Sequence, residues 1–137
     1  MKTLLIVRGL PGSGKSRFVE DLVVDILTKV VCSADDYFMR DGKYEFQADE
    51  LPEAHSRCRQ KAETAMKNDA HLVIIDNTNT RRWEMEHYYE LAEKYGYYVT
   101  EVTIGRVHPD VAERYHLRNN HGVPLETIQK MAERWEM

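Results

Sequence analysis

The sequence predicts an α/β protein of three layers, a parallel sheet of about four strands between helices, and three observations predict it. Short apolar runs recur at residues 3–8, 30–33, 71–76 and 97–104, the pattern of strands buried on both faces. Helical stretches separate them, and strands that alternate with helices pair in parallel through crossovers. The first apolar run passes straight into a glycine-rich turn and then a helix. A length of 137 residues is about one domain's worth and enough to bury one core. We therefore expect a single domain over residues 1–137.

The elements follow in order. "TLLIVR" at 3–8 is the first strand, residues 15–29 a helix, and 30–33 the second strand. An irregular stretch comes next, with a turn signal at Asp41-Gly42. Residues 49–68 carry a long helical pattern, and "HLVIID" at 71–76 is the clearest buried strand. Residues 82–95 form an amphipathic helix that stops before Gly96, and "YYVTEVTI" at 97–104 is the fourth strand. The remainder is helical and broken at "HGVP", where Gly122 closes one helix and Pro124 opens the next.

Composition narrows the function classes. With 42% hydrophobic and 31% charged residues the chain reads as globular, and no apolar run is long enough to span a bilayer. The apolar stretch Leu4 to Val7 is too short for a signal peptide, so we expect a cytoplasmic protein without a membrane partner. Two cysteines, Cys32 and Cys58, make neither a disulfide framework nor a metal pair and read as packing residues. A net charge of -4 argues against a long footprint on nucleic acid and leaves room for gripping a strand end. The six histidines show no zinc-ligand spacing.

The strongest chemical signal is "GLPGSGKS", Gly9 to Ser16, which fits G-x-x-x-x-G-K-[ST]. Its strand-before, helix-after context is what makes the match specific. The backbone of Gly9, Leu10, Pro11, Gly12, Ser13 and Gly14 can wrap a phosphate chain, Lys15 reaches the terminal phosphates, and Ser16 can ligate Mg²⁺. Arg17 is a cation in the first helical turn, where the dipole disfavours it; either an anion sits there or its stem reaches solvent.

A phosphate loop after the first strand makes the carboxyl ends of the other strands the rim of the site. Asp35, Asp36 and Asp76 all lie at such ends. Asp76 reads as the acid that holds the hydration shell of Mg²⁺, or as a cap on loop amides. Asp35 follows a different strand, so it reads as a general base on an incoming hydroxyl or as a loop cap, with Asp36 its structural partner on the acceptor side. Tyr37, Phe38, Tyr44 and Phe46 cluster in sequence and have two readings, a stacking platform for a base or a small satellite core. "NTNTRR" at 77–82 offers Thr78, Asn79 and Arg82 to strand phosphates, or is an exposed helix start. Arg118 shares a segment with Arg106, Arg114, His116 and His121, few acids among them, and is a candidate cation for the transferred group or part of a solvated face.

The ordered set "RGLPGSGKS", "SADDYF", "GKYEF", "IIDNTN", "RNNHGVP" and "RWE" resembles the P-loop 5′-polynucleotide kinase-like family, particularly the polynucleotide-kinase-like domain of ubiquitin-ligase-binding proteins. The resemblance covers essentially the whole chain. It implies a compact P-loop nucleoside triphosphate hydrolase and kinase fold with a helical lid, about residues 106–124. It further implies transfer of the γ-phosphate of ATP, with Mg²⁺, to the 5′-hydroxyl of a single-stranded or overhanging nucleic acid end. The family's general base falls on Asp35, and its lid arginine that contacts ATP phosphates falls on Arg118. Two departures stand out. The phage type has an arginine two residues after the second aspartate, where this chain has Phe38, with Arg40 the nearest substitute on the acceptor side. The phage type also has a second lid arginine where this chain has Asn120 and His121; Arg114, one helical turn before Arg118, can supply that charge.

Two other function classes compete with the polynucleotide kinase. A small-molecule kinase uses the same loop and acid, and an interaction module binds nucleotide without turnover. A cyclic-nucleotide phosphodiesterase is disfavoured because the chain holds no paired H-x-[ST] motifs. No obligate protein partner is implied.

Overall fold

The computed structural model describes residues 1–22 and 29–137. Its elements run β1 (Thr3–Arg8), α1 (Lys15–Asp21), β2 (Lys29–Cys32), a 3-10 turn (Ala34–Phe38), β3 (Met39–Arg40), β4 (Lys43–Tyr44), a second 3-10 turn (Ala48–Glu50), α2 (Leu51–Lys67), β5 (Leu72–Asp76), α3 (Trp83–Tyr95), β6 (Tyr98–Thr103), a third 3-10 turn (Pro109–Val111), α4 (Ala112–Arg118) and α5 (Leu125–Glu133). The helix expected over 15–29 ends at Asp21 with Leu22 extended, Lys29 already belongs to β2, and residues 23–28 lie outside the described residues. The irregular stretch after β2 contains a hairpin: Asp41 and Gly42 both have positive φ, 51° and 78°, as a two-residue turn between β3 and β4 requires.

The main sheet is four-stranded and parallel, in the order β2-β5-β1-β6. Every residue of β5 is buried because its strand is central and both of its faces are covered. Leu4, Ile6, Val73 and Ile75 point to one face and pack with Cys58, Ala62 and Met66 of α2 and Met85, Tyr88 and Leu91 of α3. Val7, Leu72 and Ile74 point to the other and pack with Val19 of α1. The order sends the chain from β1 to one side of the sheet and later brings β6 to the other, so the loop after β1 sits at the switch point. Gly96, at φ 75°, closes α3 as expected.

The lid departs from the expected pattern. α4 stops at Arg118, four residues before Gly122. The Asn119 side chain ends it, because Oδ1 accepts from the backbone N–H groups of His121 at 2.9 Å and Val123 at 3.0 Å. Pro124 is the cap residue before α5, not its first residue. Val111 of the third 3-10 turn, Ala112 and Tyr115 of α4 and Ile128 of α5 pack together with Leu10 of the glycine-rich loop.

Arg8 is buried at the end of β1, immediately before that loop. Its guanidinium donates to the carbonyls of Asn79 at 2.9 Å, Thr80 at 3.4 Å and Glu136, and lies 4.5 Å over the Trp135 ring. Glu136 N–H donates back to Thr80 O at 2.7 Å, and Arg134 Nε to Thr80 Oγ1 at 3.2 Å. A buried guanidinium needs its donors met: the Asn79 and Thr80 carbonyls and Glu101, 3.7 Å away, meet part of that need, and the "RWE" segment adds the Glu136 carbonyl and the Trp135 face. That segment thereby ties residues 134–136 to the strand that carries the loop.

Candidate active site

The loop from Gly9 to Gly14 turns with positive φ at Gly12 (81°) and Gly14 (104°), a geometry that glycine adopts at low cost. At Gly12 a side chain is also excluded by space: a Cβ would lie 2.1 Å from Tyr115 O, so α4 rests directly on the loop. Lys15 Nζ donates to Leu10 O at 3.4 Å. Burial lowers the Lys15 ammonium pKa, and the charges of Asp76 and Asp35 oppose that shift. Ser16 Oγ donates to Asp76 Oδ2 at 3.3 Å across the end of the sheet. Burial raises the Asp76 carboxyl, countered by Lys15 and the Ser16 hydrogen bond. A hydroxyl beside a carboxylate is the hard-oxygen pair that Mg²⁺ prefers, with its remaining positions left to water and phosphate. Ser16 and Asp76 therefore fit the ion.

Across from the loop, Ser33 Oγ accepts from Asp35 N–H at 3.2 Å and the Asn77 Oδ1 accepts from Ala34 N–H at 2.9 Å. The first bond caps the 3-10 turn and the second ties it to the end of β5. The two adjacent aspartates diverge. Asp36 is exposed and lines a shallow groove with Ser33, Arg57 and Lys61. Asp35 turns inward: Tyr44 donates its hydroxyl to Oδ1 at 3.1 Å, and His121 Nδ1 lies 3.3 Å from Oδ2. Its charge acts on both Lys15 and Asp76. Burial and the Asp35 carboxylate raise the Tyr44 phenol far above its ordinary value, so it stays a donor.

Arg118 ends α4, exposed, with its guanidinium 5.0 Å over the ring of Tyr115, whose backbone meets Gly12. Arg114 is exposed on the same helix. Arg106 pairs with Asp110 at 3.0 Å.

Several residues that the sequence assigns to the site stand elsewhere. Phe38 is fully buried and meets Tyr37, Tyr44 and Phe46 in a satellite core, so it has no surface for an acceptor. Arg17 extends into solvent toward Asp21 at 3.4 Å, the solvent reading of the two. Asn79 is buried at φ 49° and its side chain donates to the Val7 and Asn77 carbonyls, which makes it a brace between strands. Arg82 is bidentate to Glu101 at 2.8 and 2.7 Å and so is committed away from strand phosphates. Thr78 is half-buried and its carbonyl accepts from Gly9 N–H at 3.2 Å. Arg40 stays on the hairpin, exposed, 3.8 Å from Glu50. The contacts of Tyr44 and His121 with Asp35 have no sequence signal beyond the presence of both residues in the quoted motifs.

Known proteins resemble this chain to different extents. A protein-family model described as an AAA domain matches residues 4–137. NEDD4-binding protein 2 of Homo sapiens is 39% identical over 136 residues, 97% of this chain and 8% of that protein. The 2′,3′-cyclic-nucleotide 3′-phosphodiesterase of Mus musculus is 36% identical over 104 residues, 74% of this chain and 23% of that protein. The chain thus spans a minor part of either relative's length. Among solved structures, one of the Pnkp1/Rnl/Hen1 RNA repair complex matches with TM-score 0.72 at 19% identity, covering 97% of this chain and 43% of that one. At that identity the likeness is one of fold.

Proposed function

Because the chain belongs to the family described as the AAA domain and has a P-loop kinase-like fold, we propose that it is an ATP-dependent kinase that transfers the γ-phosphate to the 5′-hydroxyl of a nucleic acid strand end. The observation that carries this reading is the pairing of two half-sites. Lys15, Ser16 and Asp76 form a triphosphate cradle, and Asp35 faces it from the 3-10 turn after β2 with a carboxylate oriented by Tyr44. The choice of a nucleic acid acceptor rests on the resemblance of the ordered motifs to the 5′-polynucleotide kinase-like family.

In this reading the loop amides and Lys15 hold the β- and γ-phosphates, while Arg118 swings from Tyr115 to meet the transferred group, with Arg114 as the second lid cation. Ser16 and Asp76 would hold Mg²⁺, which when bound neutralises charge on the phosphate oxygens. Asp35 accepts the proton of the 5′-hydroxyl as its oxygen bonds to the γ-phosphorus; the bond from that phosphorus to the β–γ bridging oxygen breaks, and ADP leaves. The acceptor is a single-stranded or overhanging end, and the protein works in the cytoplasm. Among the described residues no helix is long and apolar enough to cross a membrane.

A second reading, a kinase of small hydroxyl compounds, is favoured by the net charge of -4 and by the loss of Phe38 from the acceptor surface. Cyclic phosphate cleavage is disfavoured because the chain holds no H-x-[ST] motif. The test is transfer of labelled γ-phosphate from ATP to a panel of 5′-hydroxyl DNA, RNA, nucleosides and sugars. Oligonucleotides should be accepted far better than the small acceptors, and the product should be degraded by a 5′-phosphate-dependent exonuclease. Equal turnover of sugars or nucleosides replaces the first reading with the second.

A further inference from the structure

Tyr44 is held as a fixed plate beside the acceptor carboxylate. Phe38, buried in the satellite core, meets it edge-on at 6.1 Å and 72°, and Phe46 runs nearly parallel to it at 6.4 Å and 13°. Its hydroxyl is bound to Asp35. One face of the ring is covered by a flat nitrogen heterocycle from the lid: the His121 imidazole lies 4.0 Å away, centre to centre, at 12°. The same imidazole places Nδ1 3.3 Å from Asp35 Oδ2.

We infer that this face of Tyr44 is the seat of the acceptor's terminal nucleobase, and that His121 occupies the seat while no acceptor is bound. The inference rests on the polynucleotide kinase reading and names the part of the acceptor that is recognised. The chemistry of the two occupants matches, since both are planar aromatic heterocycles that stack on a phenol ring. A base on Tyr44 stands one tyrosine hydroxyl from Asp35, so its ribose lies beside the carboxylate that takes the 5′-hydroxyl proton.

The energetics allow the exchange. The His121 and Asp35 side chains are 33% and 50% exposed, and a polar contact so open to solvent holds weakly. His121 sits in the connection between α4 and α5, held at its backbone by the Asn119 side chain and followed by Gly122 at φ 67°. Tyr44 is anchored through its hydroxyl and its aromatic neighbours. Phe46, 48% exposed, extends the shelf outward for a following base. Departure of the imidazole also clears Asp35 Oδ2 for the incoming hydroxyl, so seating the base and freeing the proton acceptor are one event. Every base has a stacking face, so the seat selects for a base without choosing which.

The experiment is equilibrium binding of a short 5′-hydroxyl oligonucleotide, labelled at its 3′ end, to the full chain by fluorescence anisotropy. It is compared with the same oligonucleotide whose 5′-terminal residue is abasic. The intact strand should bind about 5- to 150-fold more tightly. Tyr44→Leu should bring that ratio to about one, while Tyr44→Phe, which keeps the ring and loses the bond to Asp35, should retain it. His121→Ala should tighten binding of the intact strand by about 2- to 10-fold and that of the abasic strand by less, since the abasic strand gains only the freed Asp35 Oδ2. A ratio near one in the unmodified protein overturns the seat. Unchanged or weaker binding of the intact strand by His121→Ala overturns the gate. Phosphate transfer to the abasic strand at the intact strand's rate removes the seat and leaves the kinase reading standing, whereas failure to bind or phosphorylate either strand removes both.

Discussion

Asp35→Asn separates binding from chemistry. The substitution keeps the shape of the side chain and an oxygen for the Tyr44 hydroxyl, and it removes the charge and the proton-accepting site. Its cost to the fold follows from the surroundings: the side chain is 50% exposed and loses only the open pair with His121, which contributes about 0–1 kcal/mol. For a chain of this size that is a shift in Tm of less than about 5 °C. Affinity for ATP·Mg²⁺ should change by no more than a few-fold, because Asp35 acts on Lys15 only through its charge while Leu10, Lys15, Ser16 and Asp76 remain in place. Transfer should fall by about 10² to 10⁴, or roughly 3–5 kcal/mol in the barrier, the range for a positioned base. The assay pairs calorimetric titration of ATP·Mg²⁺ with single-turnover transfer of the γ-phosphate, which isolates chemistry from product release. Asp36→Asn is the control: its side chain faces the α2 groove, so transfer should stay within a few-fold. The reasoning is refuted if Asp36→Asn abolishes transfer while Asp35→Asn does not. It also fails if both substitutions lower Tm and leave the rate per folded molecule unchanged, for then the pair is only a cap.

Arg118→Ala should lower turnover far more than it weakens ATP binding, because a lid cation gains most as charge shifts in the transition state; steady-state kinetics that leave kcat intact would return Arg118 to a solvated helix end. Arg114→Ala, assayed alongside, reads whether that residue carries the second lid charge. Burial holds the Asp76 carboxyl above its ordinary value of 3.8, so the native state binds that proton more tightly than the unfolded chain and the ionised group costs stability at neutral pH. Asp76→Asn should therefore raise Tm at pH 7 to 8, the gain shrinking as pH falls toward the ordinary carboxylate range, while ATP·Mg²⁺ no longer raises Tm; a lower Tm at neutral pH contradicts it. Arg8→Met leaves the carbonyls of Asn79 and Glu136 without the guanidinium, while Thr80 O keeps Glu136 N–H, and should cost about 2–4 kcal/mol, read as a drop in the urea midpoint. Loss of less than about 0.5 kcal/mol would mean that the C-terminal clasp is ornamental.

Sequence alone determined those parts of the protein whose causes are local. The apolar runs of β1 and β5 read as strands because both faces of a central parallel strand are buried, and no distant partner has to be known for that. The glycines and Lys15 read as a phosphate loop because backbone conformation there is limited residue by residue, and Asp76 and Asp35 follow as strand ends on its rim. Tertiary structure decided what depends on the partner. The aromatic cluster after Asp36 was ambiguous until packing divided it, with Phe38 taken into the core and Phe46 left at the surface. Arg82 and Asn79 looked available for phosphate, and Glu101 and the Val7 carbonyl claimed them. Arg8 is one more charge in the sequence and becomes a clasp only because residues 128 positions away fold back to it. The placement of His121 on Tyr44 is of the same kind. A side chain's partner is set by where the sheet order and the lid bring the chain back in space, and the free energy of that contact exists only once both segments are in place.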